Sequence, residues 1–232
     1  MKTIQRSIVG LFAASLATIF VSTTDAAPYH RGDVKLQSIG PLATGPDGVL
    51  FISDPKAACI IAIKTAAKPT DNPSGNFKVE GLNAKVAAVL GASVDQVRII
   101  DLAVDTSLQL AYLSVIRGQG ANANAVVVSV RPSGKIRVLS LKNVQHAVAK
   151  LPNAPADQET GQGRRRRNQR MESITDIAFV KGKVIVAGLS NEEFSSTLRT
   201  IPFPFEGSQK GTGVRIFHGA HGRYETSSPV RT

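Results

Sequence analysis

The chain has no tryptophan, two methionines and one cysteine in 232 residues. A single cysteine cannot pair within its own chain, which excludes a disulfide framework. Aromatic residues make up 5%, so platforms for stacking bases or a flat cofactor are scarce. Acidic residues are few as well: 17 Asp and Glu face 28 Lys and Arg, a formal charge of +11. That excess attracts anionic surfaces, nucleic acid or acidic polysaccharide without choosing among them. No Gly-x-Ser-x-Gly elbow, P-loop, dinucleotide fingerprint or Cys-x-x-Cys occurs. What is present is 42% hydrophobic residues, enough to rule out wholesale disorder, and length for one sizeable domain or two small ones.

Residues 1–26 carry Lys2 and Arg6, an apolar stretch over 8–21, and small residues ending Ala26-Ala27. A positive start, a short apolar run and a small-residue cut are the parts of a secretory signal. Cleavage is expected after Ala26, leaving an exported chain in a periplasm or the outside medium. The alternative is a membrane anchor, but the run would span about 21 Å as a helix against a hydrocarbon core of roughly 30 Å. No later segment is apolar enough to span a membrane. Cys59 sits in Ala57-Ala58-Cys59-Ile60-Ile61 and reads as a small buried hydrophobe with an inert thiol.

One phrase is written three times, as Ile39-Gly40-Pro41-Leu42-Ala43-Thr44, Ile99-Ile100-Asp101-Leu102-Ala103-Val104 and Ile174-Thr175-Asp176-Ile177-Ala178-Phe179. After each copy a turn leads to a second apolar run, at 49–53, 110–114 and 184–188. Pro46-Asp47-Gly48 and Lys181-Gly182-Lys183 have hairpin chemistry, because Gly supplies the positive φ of tight connections. Third runs follow at 59–63, 125–130 and 197–201, and fourth runs at 77–80, 135–141 and 214–218. Four short antiparallel strands per repeat describe a β-propeller blade. The expected fold is all-β, a partial propeller of about three four-stranded blades over 34–81, 97–150 and 172–224, forming one domain over 27–232. A plain β-sandwich is the alternative.

The copies are spaced more widely than the roughly 40–50 residues of compact propeller repeats, so insertions separate the blades. One is a short helix over 84–90, capped by Asn83 and ended by Gly91. The other is the polar, basic stretch 151–171. Three open blades leave two apolar sheet faces uncovered, whereas closed propellers have about four to eight blades. The chain therefore reads as an N-terminal fragment of a longer propeller, or as a subunit that completes its ring as a homodimer.

The strings Asp101-Leu102-Ala103-Val104, Tyr112-Leu113-Ser114-Val115, Arg117-Gly118 and Leu189-Ser190-Asn191-Glu192-Glu193-Phe194 resemble secreted bacterial propellers of the NHL and YncE-like type. With Ile201-Pro202-Phe203-Pro204-Phe205 and the stretch 218–226, the chain is more closely similar to an exported bacterial family that keeps these strings. The resemblance covers nearly all of the chain after the leader and implies a propeller fold. It brings no reaction and no catalytic residues, and in that family the sequence continues past the position of Thr232.

Asp101 and Asp176 hold the same place in two repeats. If the inner strands surround a channel, these carboxylates converge on its axis and are candidates for a ligand, or for Ca²⁺ or another hard cation. Pro41 replaces the Asp in the first copy, and a backbone-pairing role is the plainer alternative. Arg199 lies beside the loop that starts at Asn191 and is a third ligand candidate. His218 and His221 are the one close histidine pair, with Glu225 as a possible third metal ligand; a polar turn is the alternative, and His30 and His146 read as isolated. Arg164, Arg165, Arg166, Arg167 and Arg170 form a basic patch. It reads as a solvated, self-repelling loop or as a contact for an anionic polymer or surface, without specific nucleic-acid recognition. Ile201 to Phe205 closes a blade edge or forms a partner ledge. The functional expectation is a noncatalytic exported module binding a small molecule or protein; a metal-dependent propeller hydrolase or lactonase-like enzyme is the alternative.

Overall fold

A computed structural model describes residues 29–68, 77–163, 166–192, 195–205, 212–214, 217–218 and 222–224. The expected leader lies outside them. Along the chain come β1 (His30–Gly32), β2 (Leu42–Thr44), β3 (Val49–Asp54), β4 (Cys59–Lys64) and the helix α1 (Leu82–Leu90). Next follow β5 (Val97–Asp105), β6 (Leu110–Arg117), β7 (Asn124–Val130), β8 (Ile136–Val138) and β9 (Val144–Lys150). A hairpin of β10 (Glu159–Thr160) and β11 (Arg167–Asn168) precedes β12 (Asp176–Val180), β13 (Lys183–Leu189), β14 (Ser196–Pro202) and β15 (Thr212–Gly213). The last hairpin pairs β16 (Phe217–His218) with β17 (Arg223–Tyr224).

The repeats do build three antiparallel sheets, each with its repeat phrase on an edge strand. Sheet one is ordered β1-β9-β4-β3-β2, sheet two β5-β6-β7-β8 and sheet three β12-β13-β14-β15. Local turn chemistry makes the hairpins. Lys181 and Gly182, at φ 47° and 76°, form the two-residue loop between β12 and β13, whose twist matches that of paired strands. Asp47 and Gly48 take φ 53° and 72° between β2 and β3.

The fourth strand of sheet one corrects the sequence reading. Residues 77–80 lead into α1, and the strand that pairs with β4 is β9, in register from Cys59↔Lys150 to Ile63↔His146. The chain thus leaves sheet one after four strands, builds all of sheet two, and returns. Expecting neighbours in sequence to be neighbours in space is right in roughly two-thirds of cases; here the nested sheet breaks it. In sheet three the outer strand is Thr212–Gly213, followed by a bond from the Val214 amide to the Ser196 carbonyl. The expected 214–218 strand therefore starts too late, and Phe217–His218 pairs elsewhere. Ladder bonds use backbone groups, so glycine on an outer edge does not prevent pairing.

Nesting also sets the order in space. Sheet one lies between the other two: Phe51, Ile60 and Ala149 pack with Ile177, Val184 and Ile201 of sheet three, and Leu50, Ile52 and Ile61 pack with Leu110, Tyr112 and Val127 of sheet two. The first core ends in an aromatic group of Phe51, Phe179, Phe203 and Phe205. Phe205 is buried, so the 201–205 segment closes the blade edge, with a cis bond before Pro204.

Helix α1 does not sit between blades. Its Val86 and Ala87 pack on the far face of sheet two, against Leu113, Val115 and Val128. Gly91 ends it in the left-handed region, as expected, but its first cap is Gly81, not Asn83. Two outward faces stay open: Leu102 and Val104 on sheet two, Val180 and Leu198 on sheet three, all 40–50% exposed. Among the described residues no helix is long and apolar enough to cross a membrane.

Candidate functional site

The edge strands β5, β2 and β12 come together in space, and the leading ends of the three repeat phrases surround a cavity of about 510 Å³. Its walls include Ile39, Pro41, Ile99 and Ile174, with Arg98, Asp101, Glu172 and Asp176 among the lining side chains. The equivalence of Asp101 and Asp176 in sequence therefore becomes proximity to one space. Volumes of about 300–1,000 Å³ are usual for small-molecule pockets. Three carboxylates against one guanidinium make this a locally acidic spot on a basic chain.

The two aspartates are held differently. Asp101 Oδ2 accepts the backbone N–H of Leu42 at 2.7 Å. Leu42 lies on β2, the edge of sheet one, so its amide points out of the ladder and needs an acceptor. Asp101 supplies one across the sheet boundary. Asp176 Oδ1 instead accepts the amide of the next residue, Ile177, at 2.8 Å. The stacking order explains this. Asp101 and Ala103 turn toward sheet one, whereas in sheet three it is Ile177 and Phe179 that do so. The same repeat position thus lies on opposite faces of its sheet relative to sheet one in the two copies.

Among the described residues no three His, Cys, Asp or Glu side chains stand close enough to share a metal ion. Asp101 and Asp176 supply two carboxylates, each already engaged by an amide, and that set does not fit a closed cation site. Of the other metal candidates, His218 lies on β16 opposite Arg223, while His221 and Glu225 lie outside the described residues.

Arg199 lies within β14, inside the third run expected at 197–201, opposite Val186 and 2% exposed, and it is not among the residues that line the cavity. Its Nη1 and Nη2 have no hydrogen-bond partner among the described residues. Burial pushes its pKa down, partly opposed by the Glu192 carboxylate, which itself accepts from Asn153 Nδ2.

The basic stretch is partly tied down. Arg166 pairs with Glu159 across the β10–β11 hairpin, and Arg170 Nε donates to the Pro155 carbonyl. Arg167 is exposed on β11, and Arg164 and Arg165 lie outside the described residues.

Sequence reading missed two features. Asp54, 1% exposed, accepts from the amides of Gln37, Ser38 and Ala57 and from Ser38 Oγ, at 2.7–3.1 Å. It fastens the segment before β2 to the turn after β3. His30 and His146, apparently isolated, are direct cross-strand partners with ring centroids 4.1 Å apart. No local signal shows a pairing across 116 positions. Cys59 behaves as expected: it is buried, and burial first, then Asp54, push its thiol to about 12, against a smaller lowering by Lys150.

No protein-family model matches the chain, and no curated protein matches it. Among solved structures, a luciferin-regenerating enzyme aligns at 8% identity over 82% of this chain and 84% of its own, with a TM-score of 0.31. The PQQ-bound form of aldose sugar dehydrogenase from Streptomyces coelicolor aligns at 13% identity over 86% and 89%, with a TM-score of 0.21. Likenesses this distant carry no function to the present chain. The chain is a mostly-β protein whose antiparallel sheets, one of five strands and two of four, stack side by side in the manner of a partial propeller.

Proposed function

We propose that this chain is an exported propeller module of the NHL and YncE-like kind that binds a small ligand at the leading ends of its inner strands. The observation behind this reading is the cavity of about 510 Å³ lined by Asp101, Glu172 and Asp176 beside apolar walls. Carboxylates next to isoleucine and proline suit a cationic ligand with an apolar body, such as an organic amine. Export rests on the leader-like composition of residues 1–26. In this reading the module acts by binding.

The test is calorimetry and thermal shift with choline, spermidine and glucosamine, using glucose and acetate as neutral and anionic comparators. A cation should bind and raise the melting temperature, and the double variant Asp101→Asn/Asp176→Asn should weaken it about tenfold or more, the equivalent of about 1.4 kcal/mol. If no cation binds, or the double variant binds equally well, the reading fails. A second reading, a metal-dependent hydrolase of lactone type, is favoured by one observation: Asp101 and Asp176 line the same cavity. Chelator-sensitive lactone hydrolysis lost in the same double variant would favour it.

A further inference from the structure

We propose that His30 and His146 form a two-histidine site for a borderline transition-metal ion, Cu²⁺ or Zn²⁺, that clamps β1 to β9. The site is separate from the cavity at the inner strands and does not depend on the ligand proposed there.

The backbone puts the two residues together. β1 pairs with β9 in the register His30↔His146, Arg31↔Gln145 and Gly32↔Val144. Directly opposite residues have Cβ atoms about 4.5–5.5 Å apart, so both imidazoles rise from the same face of the sheet. Their rings meet at a centroid distance of 4.1 Å and an interplanar angle of 64°.

The second observation is the orientation of the buried ring. His146 is 7% exposed, and its Nδ1 stands 3.1 Å from the Val144 carbonyl oxygen. A carbonyl only accepts, so Nδ1 carries the hydrogen and donates it, and Nε2 keeps its lone pair. A backbone carbonyl holding the far nitrogen is the arrangement that fixes the tautomer of a metal-binding histidine. His30 is exposed on the edge strand, so solvent and an ion reach the pair from that side.

The distances fit with a small adjustment. Nitrogens about 2.0–2.1 Å from a common ion at a right angle lie about 3 Å apart, which places ring centroids about 4.5 Å apart; a near-tetrahedral angle widens the centroid separation to about 5.2 Å. From 4.1 Å the rings therefore have to open by about 0.4 Å for right-angle ligation of Cu²⁺ and by about 1 Å for tetrahedral Zn²⁺, with rotation of the exposed His30. Imidazole suits zinc and copper, and Cu²⁺ is the tightest of the divalent first-row series. Two rings leave coordination positions for water, which is why no group of three side chains is needed.

The consequence is mechanical. β1 has three residues and a single neighbour in the sheet, β9. A shared ion adds a cross-link where the ladder is shortest.

The experiment titrates Cu²⁺ and Zn²⁺ into the full chain by calorimetry, with electron paramagnetic resonance of the copper form. Hydrogen exchange of residues 30–32 is followed in parallel. Expected results are one ion per chain, copper hyperfine structure from two imidazole nitrogens, and slower exchange in β1 when the ion is bound. His30→Ala changes an exposed side chain and leaves the fold intact. It should weaken binding by at least the roughly tenfold that losing even an outer partner costs. His146→Ala should do the same, and the double variant His218→Ala/His221→Ala should bind as the parent does. Binding unchanged by His30→Ala, binding lost in the His218/His221 variant, or copper spectra without two imidazoles would each overturn the proposal.

Discussion

Asp101 separates a structural tie from a ligand contact, and its substitution has a calculable cost. The Leu42 amide lies at the edge of sheet one, 4% of Leu42 is exposed, and the one acceptor across the boundary is Asp101 Oδ2 at 2.7 Å. Asp101→Ala removes a hydrogen bond to a charged acceptor and leaves a buried donor alone, a loss of about 1.5–3 kcal/mol. For a chain of this size the melting temperature moves by about 2–4 °C per kcal/mol, so a fall of about 3–12 °C is expected. Asp101→Asn keeps an acceptor oxygen in place, and its cost should stay below about 1 kcal/mol. Urea unfolding with matched slopes, together with calorimetric melting, measures both. If Asp101→Ala lies within about 0.5 kcal/mol of the parent, the amide is satisfied otherwise and the tie is not real. If Asp101→Asn loses as much as Asp101→Ala, the charge matters and not the bond.

Gly188→Ala tests the contact between sheet three and the segment before it. An added Cβ would stand 2.1 Å from the Ser173 carbonyl oxygen, which is backbone and cannot swing away. A loss at or above the usual overpacking range of about 1–3 kcal/mol is expected in denaturant unfolding, and an unchanged midpoint would refute it. Arg199→Met replaces a buried guanidinium whose terminal nitrogens lack partners; stability should rise by about 1–4 kcal/mol, and a clear loss would show that an acceptor is engaged. The Cys59 thiol, raised to about 12 in the fold, stays protonated at pH 8 and should react with a thiol reagent only on unfolding. The unfolded thiol ionises near its ordinary value of about 8.5. The unfolded state therefore releases a proton first as pH rises, and the Cys59 contribution to stability should fall between about pH 9 and 12. Stability flat across that window would count against it.

The sequence by itself determined the strands that local chemistry controls. The three repeat phrases, the Lys181-Gly182 turn with both φ angles positive, the Gly91 helix end and the burial of Cys59 all follow from period, backbone freedom and side-chain polarity within a few residues. So did the open apolar faces, seen in the exposure of Leu102, Val104, Val180 and Leu198. Tertiary structure alone decided how the sheets are shared. Residues 144–150 join β4 rather than the unit they follow, and that one choice places sheet one in the middle. It then sends Asp101 toward Leu42, leaves Asp176 on a different face, encloses Arg199 and brings His30 to His146. Pairing between distant strands depends on which edges remain free after local hairpins form, and a linear pattern of residues does not encode that competition.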